Sequence, residues 1–505
     1  MKTLKILFIQ FIAVIILSLS SCDLTTFPWA DLPDDAIGTD LIDFQRLTAG
    51  AYAQVLHSES FRAKHFMGEY TGDNVALSGN TGDNFRYSYN YEHIKNSTIM
   101  RDMWRNAYRV IYTTNGVIEN VEDNTNDWRL LELKAECLFI RAEQHFILVQ
   151  TFGLPYQKSP ETNLGIPLMD KRSDEPQARA TLKESWDFVV NDLLHAIRLF
   201  NRCKELPPIN NIRYERKNCN YASAEVCEAF LARLYLYMDR NNEAMEYADK
   251  IINSGLWEVA DAEAHYTYPT RAPENNKETI YAFRHTPSED RDRDAIGSMY
   301  WDVAGSGWGQ VYASQTYYDL VRTFPDDIRN NFIVPQYSAD GELLYRNSVP
   351  RYYINKFSYQ EGYVNLSSPV FLRIEEMYMI KAEIYAKTGR DQEAIDLVNM
   401  IRQKRGLSGD ALYSVSDLKW NATVLDVVLE ERRLEFAFEA HRKWDIFRNN
   451  RNLERHYPGY HQRIDDTSGP NNNFDMLVLH TNPRLAHYMP ESEMQLPGNK
   501  LVDNP

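Results

Sequence analysis

Several features common in chains of this size are scarce or missing. Five of the 505 residues are cysteine, and their spacing matches no paired C-x-x-C metal pattern. No H-E-x-x-H, P-loop or G-x-S-x-G sequence occurs, so zinc-protease, nucleotide-phosphate and α/β-hydrolase chemistry lack their signatures. Gly305-Ser-Gly-Trp-Gly309 is rich in glycine, but it lacks the clear preceding strand and following helix that a phosphate cradle needs. Basic residues are outnumbered, 55 against 71 acidic, for a formal net charge of −16. That deficit argues against general nucleic-acid binding, which neutralises phosphates with Lys and Arg, and against electrostatic adhesion to an anionic bilayer. So many carboxylates bring some pair to glycosidase separation by chance, and their abundance supports no hydrolase. His441 has no second histidine at metal-ligand spacing. No catalytic residue, metal ligand or cofactor is assigned.

What is present begins at the N-terminus. Lys2 and Lys5 precede an apolar run from Ile6 to Leu19, followed by Ser20-Ser21-Cys22. A positive start, a short apolar stretch and small residues before a cut describe an export signal over residues 1–21. Cysteine directly after Leu-Ser-Ser resembles a bacterial lipobox, in which Cys22 carries lipid on its thiol and amine and opens the mature chain; an ordinary signal peptide is the plainer alternative. No later apolar run approaches the roughly 20 residues needed to cross a bilayer. The expectation is therefore a body held to a membrane by acyl chains, each CH2 contributing about 0.8 kcal/mol. Of the other cysteines, Cys137 and Cys227 sit in apolar helical patterns as small hydrophobes. Cys203 and Cys219 flank the polar stretch 204–218. Because export passes through an oxidising space, a disulfide closing that loop is one expectation and two free thiols the other.

Most of the chain has helical periodicity. Apolar residues recur at helical spacing over Asp43–Leu56, Met100–Val121, Trp128–Gln150, Leu182–Phe200, Ala222–Met238, Asn242–Ile252, Phe371–Lys387, Gln392–Lys404 and Ala422–Arg448. Two stretches repeat: Ala232, Tyr235, Arg240, Glu243, Ala244 and Ile251 fall in register on Ala382, Tyr385, Arg390, Glu393, Ala394 and Ile401. Each reads as helix, short polar turn, helix, and resembles the tetratricopeptide unit of about 34 residues. Residues 66–93 and 257–363 differ in composition. They mix aromatics with Gly, Asn, Asp and Pro and predict short strands, turns and short helices. The fold class expected is mainly all-α, a tetratricopeptide-like scaffold carrying an irregular, loop-rich insertion at about 257–363.

In the C-terminal third, Phe371-Leu-Arg-Ile-Glu-Glu-Met-Tyr-Met-Ile-Lys-Ala-Glu-Ile-Tyr385, then Val398-Asn-Met-Ile-Arg-Gln-Lys-Arg-Gly406, then Leu429-Glu-Glu-Arg-Arg-Leu-Glu-Phe-Ala-Phe-Glu-Ala-His-Arg-Lys-Trp-Asp-Ile-Phe-Arg448 occur in order. This run resembles the SusD/RagB family of surface nutrient-binding lipoproteins. Lys134-Ala-Glu136 with Arg141-Ala142, Phe152-Gly-Leu-Pro155, Gly165-Ile-Pro167 and Tyr488-Met-Pro-Glu-Ser-Glu493 extend the likeness over nearly the whole mature chain. Ala440 stands where a glycine is usual, and Gly498–Pro505 follows the usual tail only loosely. The resemblance implies an N-terminal helical region over 22–220 and a C-terminal region over 221–505. It also implies residence on the extracellular face of the outer membrane, with a SusC-like TonB-dependent transporter as partner and an oligosaccharide as ligand.

Sugar rings stack apolar C–H faces on aromatic rings and engage hydroxyls with amides, carboxylates and guanidiniums. Tyr300–Tyr312 and Asp73–Tyr91 mix these residue types. By resemblance the ligand contacts are Asn74, Tyr87, Tyr89, Trp301, Trp308 and Tyr312, with Arg86 and Asp302 as polar partners. The charges of 431–448 have a plainer reading. Glu431, Glu435 and Glu439 recur every four residues, and Glu439, Arg442, Asp445 and Arg448 every three, so they pair along one structural helix. Three rival functions remain at this point: a peptide binder of the same family, a lipid-anchored glycan hydrolase, and a repeat scaffold with no small ligand.

Overall fold

The computed structural model describes residues 40–78, 83–289, 292–302, 305, 307–461 and 473–505. Cys22 and the export segment lie outside the described residues. The N-terminal half runs α1 (Leu41–Val55), α2 (Ser58–His65), a π-turn at Phe66–Tyr70, β1 (Val75–Leu77), α3 (Asp83–Tyr89), α4 (Thr98–Ile118), α5 (Trp128–Phe152) and α6 (Leu182–Glu205). The first repeat is α7 (Ala224–Tyr237) and α8 (Asn241–Asn253). The insertion holds α9 (Ala262–Thr267), β2 (Thr279–Ala282), α10 (Ile296–Tyr300), β3 (Val311–Ala313), α11 (Gln315–Val321), β4 (Ile333–Pro335), β5 (Tyr345–Arg346), β6 (Val349–Pro350), β7 (Tyr352–Ile354) and β8 (Val370–Arg373). The second repeat is α12 (Ile374–Lys387) and α13 (Asp391–Lys404). The chain closes with α14 (Val424–Glu435), α15 (Arg442–Arg448), β9 (Leu453–His461), β10 (Asn473–Val478) and α16 (Glu491–Met494).

Helix starts carry the expected chemistry. Thr181 and Glu184 form a reciprocal capping box on α6, and Thr423 and Asp426 form another on α14. Ser97 and Ser223 cap α4 and α7 through their hydroxyls. The hydrophobic stripe of α5 is entirely buried, and so is most of its remaining surface. It is a central helix, with one apolar core running through both halves of the chain.

The repeated register is a repeated structure. Asp239 and Gly389 both take left-handed φ, 56° and 74°, and the next N–H, of Arg240 or Arg390, donates to the carbonyl of Tyr235 or Tyr385 at 2.8 and 2.9 Å. Arg240 lies 4.5 Å over the Tyr235 ring and Arg390 4.0 Å over Tyr385. Ala232, Ala244, Ala382 and Ala394 are buried where the helices close on one another.

Two expectations need correction. Phe371 and Arg373 belong to β8, not to the following helix; β8 pairs antiparallel with β2. The acidic-basic segment is two helices, broken where Phe438 and Ala440 take φ of 70° and 66°. Its charges pair mostly across the fold. Glu431 and Glu435 bond Arg329, Arg402, Arg405 and Arg373, Glu439 bonds Arg373 and Lys356, and Arg442 pairs with Asp73 at 2.6 Å. Only Asp445–Arg448, at 2.7 Å, follows the helical spacing. Of the two alternatives left open for Cys203 and Cys219, the structure has the free thiols. Cys203 faces inward and donates to the Trp128 carbonyl, while Cys219 turns to Asn220. The loop between them is held instead by Lys217 on Glu136.

The insertion is built from short antiparallel pairs, β1–β3, β2–β8, β4–β7 and β5–β6. Among the described residues no helix is long and apolar enough to cross a membrane.

Candidate ligand-binding site

The two sequence segments rich in aromatic and polar residues meet in one ladder. β1 pairs with β3 in the register Val75↔Ala313, Ala76↔Tyr312, Leu77↔Val311. Beyond it, the Ser78 N–H donates to the Gln310 carbonyl at 3.0 Å. The β5–β6 hairpin closes over this end. Its two-residue turn, Asn347 at φ 48° and Ser348 at 65°, has the double positive φ of a type I′ turn. Asn347 donates to the Ser78 carbonyl and Arg346 to the Gly309 carbonyl.

Half of the expected contacts support this surface from within. Asn74 is fully buried, donating to Glu69 and accepting from Arg433 at 2.9 and 2.8 Å. Next to it, burial alone would raise the Asp73 carboxyl, but the Arg433 and Arg442 guanidiniums hold it well below the usual range. Tyr89 is buried on His461 with Arg455 3.7 Å over its ring. Tyr312 is buried and donates to the Gly309 carbonyl at 2.7 Å. Asp302 spends one oxygen on the Gly307 N–H at 3.0 Å, and its other oxygen would stand 2.7 Å from a Cβ at Gly309. It therefore holds the glycine-rich turn. Trp308 is half-buried, stacked on Phe66, with its indole N–H on the Arg293 carbonyl. Arg86 and Tyr87 are half-buried on α3, the guanidinium 4.6 Å over the neighbouring ring. Among the described residues no hydrogen bond or ring contact joins them to Trp301.

Trp301 is different. It follows the last turn of α10, half-buried, its ring against Tyr353 at 5.5 Å and Tyr359 at 6.4 Å, and Tyr353 in turn meets Tyr312 at 5.6 Å. Tyr359 is 39% exposed and takes a left-handed φ of 66°, followed by Glu361 at 52°. Residues held in such sparsely populated backbone regions cost of order 1–3 kcal/mol each and cluster at ligand clamps. Burial pushes the Tyr353 phenol up to about 12, with the charges of Tyr312 and Asp302 adding to it.

Trp301 and its neighbouring segments carry buried polar atoms that have no hydrogen-bond partner among the described residues: Trp301 Nε1, Arg351 Nε, Gln310 Oε1 and Ser78 Oγ. Native interiors leave few such groups, and each asks for an occupant. A groove of about 670 Å³ beside Trp420 lacks this feature. There the indole N–H bonds Glu430, Arg442 pairs with Asp73 and Arg451 with Asp426. Tyr353, Tyr359 and Arg351 escaped the sequence reading. The tyrosine-rich run 337–363 was the available signal, but composition does not separate Tyr353, buried against Trp301, and Tyr359 from the exposed Tyr337, Tyr345 and Tyr363.

The family described as "Starch-binding associating with outer membrane" matches residues 30–236, and the SusD family matches residues 208–504. The chain belongs to the SusD family. A curated relative, SusD-like protein P38 of Formosa agariphila, is 24% identical over 90% of this chain and 93% of its own. A SusD superfamily structure from Bacteroides thetaiotaomicron superposes with a TM-score of 0.76 at 22% identity, covering 92% of this chain and 99% of that one. Surface glycan-binding protein A from Bacteroides uniformis gives 0.67 at 18% identity over 91% and 98%. The mainly helical, tetratricopeptide-like architecture is that of this superfamily.

Proposed function

We propose that this SusD-family protein is a glycan-binding protein of the cell surface. Anchored by lipid at Cys22 on the outer face of the outer membrane, it captures an oligosaccharide on the Trp301 ledge and passes it to a SusC-like TonB-dependent transporter, without altering it. The observation that carries the reading is the conjunction at Trp301. Aromatic rings meet there, and Trp301, Arg351, Gln310 and Ser78, on the strands and turns around them, each keep a buried polar atom without a partner among the described residues. Sugars present the complementary pair, C–H faces and hydroxyls. The β-ladder and the tight hairpin hold these groups in place before binding, which limits the ordering cost. The family's description as starch-binding and outer-membrane associated supports the same reading.

Isothermal titration against a polysaccharide panel tests it. A glycan should bind wild type, and Trp301→Ala and Tyr359→Ala should each weaken binding by tenfold or more, the loss expected of a central aromatic anchor. Trp308→Ala should act mainly through stability, since its ring and indole N–H are engaged within the protein. Product analysis of the same mixtures should find the glycan intact; released shorter sugars would replace capture with hydrolysis. Co-purification of a large outer-membrane barrel with the lipidated protein tests the transporter partnership.

A further inference from the structure

The ledge carries positive charge that the fold leaves unneutralised. In this acidic chain most buried arginines are matched by carboxylates, such as Arg141 by Asp192 at 2.6 Å, Arg233 by Glu376 at 2.6 Å and Arg442 by Asp73 at 2.6 Å, while Arg179 and Arg455 are saturated instead by backbone carbonyls. Arg346 and Arg351 are the exceptions beside Trp301. Both are half-buried. Arg346 is spent on a neutral acceptor, the Gly309 carbonyl. Arg351 has a buried Nε with no protein partner. Among the described residues neither guanidinium has a carboxylate within ion-pair distance. The nearby Asp302 uses one oxygen to hold the glycine turn.

Their placement is not accidental to the rings. Arg351 and Tyr353 are two residues apart in extended chain, and so project to the same face. Tyr353 touches both Trp301 and Tyr312. Both guanidiniums are close enough to Tyr312 and Tyr353 to favour their ionised forms. Arg346 is fixed by the Asn347-Ser348 turn, itself pinned to the end of β1. A planar guanidinium with a free edge, partly screened from water, is suited to two-point recognition of an oxyanion.

Building on the proposed glycan site, we infer that its ligand is an acidic glycan, whose carboxylate or sulfate group is received by Arg351 beside the Trp301–Tyr353 rings, with Arg346 supplying a second positive charge. A uronate and a sulfate ester offer the same planar or tripodal oxyanion, and the experiment separates them.

The test is titration of the full chain with a polyuronate and its carboxyl-reduced counterpart, and with a sulfated galactan and its desulfated counterpart. Wild type, Arg351→Gln, Arg351→Lys and Trp301→Ala are compared. In at least one pair the charged polymer should bind wild type at least tenfold more tightly than its neutral form, and added salt should erode that difference. Arg351→Gln should bring the charged polymer to the affinity of the neutral one, and Arg351→Lys should recover part of the loss. Thermal melts of the two Arg351 variants should match wild type, because among the described residues that side chain holds no structural partner. If neutral polymers bind as tightly as charged ones in both pairs, or if Arg351→Gln binds like wild type while Trp301→Ala does not, the acidic-ligand inference is overturned and the glycan site stands. If no polymer binds wild type, both fall together.

Discussion

Ala440 occupies a backbone position that suits glycine better. Its φ of 66° costs an L-residue roughly 1–2 kcal/mol. The contact is tight as well: a Cβ placed on Gly68 would stand 2.8 Å from the Ala440 Cβ and 2.3 Å from its carbonyl oxygen. The Ala440 N–H donates to the buried Glu69 carboxylate at 3.1 Å, so the turn cannot easily relax. Ala440→Gly should therefore raise stability, by about 0.5–1 kcal/mol after the added freedom of the unfolded chain is counted. Gly68→Ala should lower it by about 1–3 kcal/mol. Urea midpoints at unchanged slope check both. At this scale the sequence allowed a unique position to be marked, Ala440, but not the reason for it, because its crowding comes from a glycine 372 positions away in the chain.

Among the elements, α14 shows how the same pattern can have two physical meanings. Carboxylates every four residues satisfy a solvent-exposed helix with short-range pairs, and equally a buried helix with arginines arriving from elsewhere. The second holds here. Glu435 is buried against Arg373 and Arg405 at 2.6 and 2.7 Å and also meets Arg329. Burial alone would raise its carboxyl, but the Arg405 and Arg373 guanidiniums hold it far below the usual range. Glu435→Gln leaves those cations uncompensated and should cost about 3–5 kcal/mol, measured as chemical unfolding. The repeat hairpins give the contrasting case. Their turn, their Arg-on-Tyr contact and their close-approach alanines all lie within one short segment, so periodicity and register were enough to find them. Ala394→Leu should overpack α12 against α13 and cost about 1–3 kcal/mol, and Ala244→Leu should do the same to the first repeat.

For the whole molecule, buried histidines set the response to acid. Burial lowers His65, His145 and His461 to about 3 and His487 to about 4. Below about pH 6.5 the unfolded chain protonates them and the folded chain does not, so stability is lost as pH falls toward 4. Each contributes up to about 1.4 kcal/mol per pH unit. Glu69 and Glu136 act with the opposite sign. Burial raises both to about 7, so their contribution is present below 4.5 and is lost as pH rises through 7. Burial lowers His93, His265 and His441 as well, and these seven imidazoles outweigh the buried carboxyls raised like Glu69, among them Glu132, Glu228 and Glu375, to give a net fall on acidification. The melting temperature should drop between pH 6.5 and 4, and His145→Gln should flatten the slope in that window.

The sequence alone determined the helices, their caps, the two repeated hairpins and the irregular character of 257–363. Apolar period, capping side chains and turn residues act between positions a few places apart, and the chemistry is complete within each segment. Tertiary structure alone decided which aromatic residues support the ledge and which remain at it. It decided, too, that Glu431 and Glu435 are interior, and that Arg351 meets no carboxylate among the described residues. Burial and ion pairing are relations between segments brought together from distant parts of the chain, and a list of residue types holds no record of which side chains arrive already partnered.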